Sequence, residues 1–205
     1  MLQKLKLAVR KGASANIPLR IETGTLSFAA ISAMAKSAPL RVTAPGHNLP
    51  DGWYVAIVDA KGTTELNAAD SNSIRDSEFH RVTWIDADTV DFDGISAANF
   101  RTYTSGGYLA FYAPMSLASY TSARMDIKTR VGGEVILALN TTGGTLEIDA
   151  ATSTVWIRLD DTSLDSVAAR RDYVFDLELV SASAVDAICS ADSVLEVLPE
   201  VTTSV

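Results

Sequence analysis

"APGHNLPDGWYVAIVDAKG", residues 44–62, decides how this chain is read. It holds His47, one of two histidines in the sequence, with Asp51 four residues on. Gly46, Gly52, Pro45 and Pro50 surround them. A histidine and an aspartate in one loop are two of the groups that general acid–base chemistry uses. The same residues also make turns. Pro45-Gly46 and Pro50-Asp51-Gly52 are turn signals, because proline presets one backbone angle and glycine accepts the left-handed region. They bracket His47-Asn48-Leu49 and launch "WYVAIVD" (53–59), an apolar run of the kind found in a strand covered on both faces. On that reading His47 hydrogen-bonds its own turn or packs over it, and the stretch builds rather than reacts.

The rest of the chain favours building. Short segments with strand alternation recur on both sides. "LKLAV" (5–9), "IPLRIE" (17–22) and "PLRVTA" (39–44) precede or enter the opening stretch. "FHRVTWI" (79–85), "TVDFDG" (89–94), "GYLAFY" (107–112), "SARMDIKT" (122–129) and "EVILAL" (134–139) follow it. "TLEID" (145–149), "TVWIRL" (154–159), "YVFDLELV" (173–180) and "VLEVL" (194–198) complete the series. Turn residues such as "SGG", "VGG" and "TGG" separate them, a pattern that predicts an all-β sandwich or barrel. "TLSFAAISAMAKSA" (25–38) fits helix and strand spacing equally. "DTSLDSVAARRD" (161–172) reads as one or two helical turns, capped by Asp161 or Thr162 with arginines at the far end.

Composition narrows the functional classes. The 205 residues carry 17 Lys and Arg against 25 Asp and Glu, a formal net charge of -8. Such a surface lacks the clustered cations that nucleic acid and anionic membranes require, so neither is an expected partner. Apolar residues are 47% of the chain, enough for a core, and no apolar run reaches a membrane span. Lys4 and Lys6 interrupt the first apolar stretch, which therefore reads as a strand and not as a signal segment. Cys189 is the sole cysteine, which rules out an internal disulfide, and its β-rich apolar setting predicts a buried, inert thiol. Two histidines and one cysteine, without CxxC or HExxH spacing, predict no metal site, and no cofactor motif is present.

The remaining motifs read structurally. "DADTVDFDG" (86–94) has aspartates at 86, 88, 91 and 93, but Val90 breaks the calcium-loop spacing. The expectation is a strand with Val90 and Phe92 inward and solvated aspartates that keep an edge from mispairing. "YTSGGY" (103–108) lacks the lysine and helix of a phosphate loop, which leaves Gly106 and Gly107 as turn residues. No G-x-S-x-G elbow occurs. Trp53, Trp84 and Trp156 all lie in strand-like runs and are expected in the core.

Two stretches resemble known proteins. "RVTAPGHNLPDGWYVAIVDAKGTTELNA…FHRVTWIDADTVDFDGISAANFRTYTSGGYLAF" resembles a β-module of tailed-bacteriophage structural proteins, over about residues 40–111. That module is often described as similar to the first catalytic-cysteine half-domain of ubiquitin-activating enzymes, although this span contains no cysteine. "LASYTSARMDIKTRVGGEVILAL" together with "YVFDLELV" and "VLPEVT" resembles an Ig-like domain of phage baseplate and tail-fibre-associated proteins. "VRKGASANIPLRIE" (9–22) is similar to that domain's first segment.

The resemblance implies an Ig-like β-sandwich from residues 1–38 plus 114–205, with a small β-barrel-like module, 39–113, inserted near its start. It implies a virion protein without enzymatic activity, assembled in the host bacterial cytoplasm, in the tail or neck region. Its expected partners are copies of itself and other virion proteins of the tail, connector, fibre or capsid. Leu5, Leu7, Pro199, Val201 and Thr202 are the expected assembly contacts, since chain ends stay ordered when something holds them. Gly46, His47, Pro50, Gly52, Gly106 and Gly107 are the turn residues that define the module. Three alternatives stay open: a capsid decoration protein; a receptor- or glycan-binding module using Tyr54, Tyr103 and Tyr108; and a hydrolase using His47 or His80.

Overall fold

The computed structural model describes residues 5–189 and 193–200. The chain is all-β: among the described residues there are sixteen strands, one 3-10 turn and no α-helix. It divides into two compact units, Met1–Ile21 with Ser116–Val205, and Glu22–Met115. The first unit opens with β1 (Lys6–Arg10) and β2 (Ala15–Arg20). The second holds β3 (Glu22–Ala30), β4 (Ala33–Ala35), β5 (Leu40–Thr43), β6 (Tyr54–Val58), β7 (His80–Asp86), β8 (Thr89–Phe92) and β9 (Tyr108–Pro114). The first unit then resumes with β10 (Tyr120–Lys128), β11 (Val135–Asn140), β12 (Leu146–Asp149) and β13 (Thr154–Leu159). It ends with β14 (Arg170–Ser181), β15 (Val185–Ala187) and β16 (Ser193–Leu198).

The second unit is one sheet, in the order β3-β9-β6-β7-β8-β5-β4. Alternation sorts its side chains. Leu40 and Val42 of β5, Val90 and Phe92 of β8, Leu109 and Phe111 of β9, and Val55 and Ile57 of β6 turn to one core, centred on Trp53 and Val82. The unit begins at residue 22, earlier than the 39 read from the sequence, and for a plain reason. Residues 25–30 and 33–35 lie in strands, β3 pairing antiparallel with β9 and β4 with β5, so hydrogen bonding commits this stretch to the sheet. An alanine-rich run has too little side-chain contrast to separate the two periodicities, and only the partner strands decide between them.

Two further expectations fail here. β8 runs between β7 and β5, so its aspartates guard no edge. Val90 and Phe92 are inward and Asp86 and Asp88 exposed, as expected, but Asp91 is buried: it stands across from Arg41 in register and accepts two hydrogen bonds from its guanidinium, at 2.7 and 2.8 Å. A carboxylate on the outward side of an interior strand has cross-strand neighbours, and an arginine there binds it with both prongs.

The first unit contains two sheets, β1-β16-β14-β10-β11 with β15 alongside β14, and β12-β13-β2. In the larger sheet Leu7 and Val9, Leu195 and Val197, Tyr173 to Leu179 at alternate positions, and Ala123, Met125 and Ile127 are buried. In the smaller one Leu19, Leu146, Val155, Ile157 and Leu159 are buried. β1 and β16 pair in parallel, from Lys6↔Val194 to Arg10↔Leu198, while every other strand pair among the described residues is antiparallel. Residues 161–172 are not helical. Asp160, one residue before the predicted caps, accepts from Thr162 N and Ser163 Oγ and closes a chain of tight turns, Asp165 N to Thr162 O and Val167 N to Leu164 O. Leu164 and Val167 are buried from those turns, and Arg170 already opens β14.

Candidate interaction surface

The opening turn is built from the inside. Ala44 N donates to Asp88 O and Gly46 N to Asp88 Oδ1, at 2.7 and 3.0 Å, which ties the turn to the β7–β8 hairpin. Gly46, Asn48 and Gly52 all have positive φ, and Pro50 lies half-buried between them. His47 is buried, and its Nδ1 accepts from Leu49 N at 3.0 Å. Nδ1 therefore carries no proton, which places the proton of the neutral ring on Nε2. Nε2 is buried and makes no well-formed hydrogen bond among the described residues. Burial pushes the imidazole's pKa down, opposed by the Asp86 backbone and by the Asp88 and Asp86 carboxylates. Asp51 Oδ1 accepts from Trp84 N at 2.9 Å, so His47 and Asp51 serve different partners. His80, half-buried on β7, lies against the Phe92 ring.

The other expected positions separate. Gly106 and Gly107 both have positive φ before β9, and Gly107 leaves no room for a side chain, since a Cβ there would lie 2.7 Å from Ala60 Cα. Leu7 is buried within its own unit. Leu5 is half-buried, its N–H donating to Ser193 Oγ. Pro199 is exposed, and its carbonyl accepts from Arg10. Val201 and Thr202 lie outside the described residues. The chain up to Leu198 is held inside the unit, between β1 and β14. Cys189 is buried, and burial raises its thiol pKa. Among the described residues no group of three or more His, Cys, Asp or Glu side chains is placed to hold a metal ion.

What the second unit presents to solvent is aromatic. Leu109 and Phe111 point into the core, so Tyr108 and Tyr112 point out. The register sets Phe28 of β3 opposite Ala110 and Ala56 of β6 on its other side. Tyr54 shares the parity of Ala56, and Tyr112 that of Ala110, so both turn to this same outward side. Phe28, Tyr54, Tyr108 and Tyr112 are 50, 42, 45 and 38% exposed. Those fractions are large for rings that usually supply core area, and contiguous apolar patches on a folded surface mark interaction sites. The rings are ordered against each other: Phe28 meets Tyr108 edge-on at 6.2 Å, and Tyr112 stacks with Phe79 at 5.8 Å.

Of the three tyrosines expected for a binding platform, Tyr54 and Tyr108 are on this face and Tyr103 is not. The Tyr103 hydroxyl donates to Ile31 O or Gly106 O, and its ring packs on the core. Phe28 and Tyr112 were missed. Phe28 lies in the alanine-rich run 25–38, whose spacing fits helix and strand equally. Tyr112 was legible, because Tyr108, Ala110 and Tyr112 share one parity and Leu109 and Phe111 the other. Trp53 is fully buried and Trp156 half-buried under Arg158, but Trp84 is 46% exposed, contrary to its expected core position. It sits near the end of β7, beside a register shift between Trp84 and Asp86, where the sheet no longer covers it.

No protein-family model matches this sequence, and no curated protein matches it.

Proposed function

We propose that the chain is a non-enzymatic structural protein of a tailed-bacteriophage particle, in its tail or neck, and that it works by contact with other subunits. The observation that carries this reading is the ordered aromatic face of the second unit, Phe28, Tyr54, Tyr108 and Tyr112. Large rigid rings fixed on a sheet lose little conformational freedom on binding, which suits them to permanent interfaces. The likeness of residues 40–111 and of the flanking segments to phage modules supports the same reading. In this view Met1–Ile21 and Ser116–Val205 make an Ig-like sandwich, and Glu22–Met115 is a module inserted into it.

The test is the protein's position in the particle. Antibody labelling should find it on isolated tails and not on tailless heads. Finding it on heads alone would favour a decoration protein, and finding it in no particle would refute the structural role. A Tyr54→Ser/Tyr112→Ser double variant should fold normally and fail to enter particles. A glycan-binding reading draws on the exposure of Tyr54 and Tyr108, and immobilised host-surface glycans would test it.

A further inference from the structure

One end of the aromatic face adjoins a charge. β6 ends at Val58, in register with Tyr108, and the chain turns sharply at Asp59, where φ is 56°. Three features hold this turn. The Asn67 side chain closes on Ala60, accepting from its N–H at 3.1 Å and donating to its carbonyl at 2.9 Å. Lys61 N donates to Ser105 O at 3.0 Å. Gly107 packs directly on Ala60. The Asp59 backbone and Tyr108 are thereby fixed relative to one another. Phe28, perpendicular to Tyr108, forms the next wall, and Ser71 and Asn72 close an open groove of about 360 Å³.

The groove's chemistry selects its occupant. Asp59 is exposed, and no cation pairs with its carboxylate among the described residues. Ring faces attract cations, a carboxylate completes the site with a full charge, and the chain's net charge of -8 has the same sign. A guanidinium matches all three: it is planar, stacks on aromatic rings and forks onto carboxylates. A neutral sugar would use the rings and the Asn72 amide but would leave the carboxylate's charge uncompensated.

We propose that the groove between Phe28 and Tyr108 receives an arginine side chain from a basic segment of a partner protein, with the guanidinium on the Tyr108 ring and against Asp59. This adds a partner chemistry to the contact surface and holds whether or not the chain belongs to a particle.

Titrating the isotope-labelled full chain with a tetra-arginine peptide, followed by amide chemical shifts, tests it. Shifts should concentrate at residues 58–60, 71–72 and 108. Asp59→Asn, which keeps a residue type tolerant of positive φ, should weaken binding about two- to fivefold. Tyr108→Leu should do the same, while Asp161→Asn, an exposed acid elsewhere, should leave the affinity unchanged. Equal losses for Asp59→Asn and Asp161→Asn would show diffuse attraction to an acidic surface and overturn the proposal. It would also fall if the shifts lay elsewhere, or if maltohexaose moved the groove amides and the peptide did not.

Discussion

Replacing Trp53 by phenylalanine tests the core of the second unit where the opening turn enters it. Trp53 is fully buried, and its Nε1 donates to Tyr112 O at 2.9 Å, which joins the start of β6 to the last residues of β9. Phenylalanine keeps the aromatic character and loses two things. The hydrogen bond is worth about 1 kcal/mol net, and more if the Tyr112 carbonyl finds no water. The missing ring atoms leave a void on the order of 40 Å³, which at ~24 cal/mol per Å³ adds about 1 kcal/mol. The expected destabilisation is therefore about 2 kcal/mol. If Glu22–Met115 melts as its own cooperative unit, that lowers its Tm by roughly 8–16 °C. Differential scanning calorimetry of the full chain would resolve the shift. Trp84→Phe is the internal standard: at 46% exposure with no side-chain bond of this kind among the described residues, it should cost under about 0.5 kcal/mol. A smaller loss for Trp53→Phe than for Trp84→Phe would refute the reasoning.

Three more outcomes follow from particular residues. Gly62→Ala should cost ~3 kcal/mol or more in urea unfolding, because φ is 84° and a Cβ would lie 2.1 Å from Thr102 O. Gly46→Ala, with φ 69° and open space around it, should cost only about 1 kcal/mol. His47 has its pKa lowered by folding, so the unfolded chain binds more protons and stability falls as pH drops below the unfolded value of 6.5. Chemical denaturation between pH 7.5 and 5 should show that slope in the native chain and a flatter one in His47→Asn, and equal slopes would contradict the assignment. Cys189 should stay unmodified by a thiol reagent in the folded chain and react on unfolding, since it is 1% exposed with a raised pKa.

Much of this fold is written in local pattern. "ARMDIK" and "YVFDLELV" alternate cleanly, and Met125, Ile127, Phe175 and Leu177 are buried as parity demands. What the pattern could not carry is set by partners distant in sequence. Residues 25–30 and 33–35 became strands because β9 and β5 offered edges to them. Asp91 sank into the structure because Arg41 stands opposite, fifty positions away. The turns at 161–167 imitate a helix in composition, but Asp160 binds them at their start and Arg170 is drawn into a long strand. The candidate surface was half legible for the same reason. Tyr54 and Tyr108 stood out as aromatics in strands, but which side of the sheet is covered is a tertiary fact that parity alone does not give.

The parallel pairing of β1 with β16 joins positions 188 residues apart, and it fixes an order of events during synthesis. At roughly 5–20 residues per second on the ribosome, β1 waits about 10–40 s for the strand that completes it. Glu22–Met115 is continuous, so all its hydrogen-bonding partners have been synthesised before β10 is made. A growing chain would thus carry one finished unit while β1 and β2 still have open edges, β2 until β13 arrives. For that interval the nascent chain is a template for strands other than its own. A translational pause placed between about residues 60 and 150, with β1 already outside the ribosome, should then lower the yield of native protein more than a pause of equal length before residue 10.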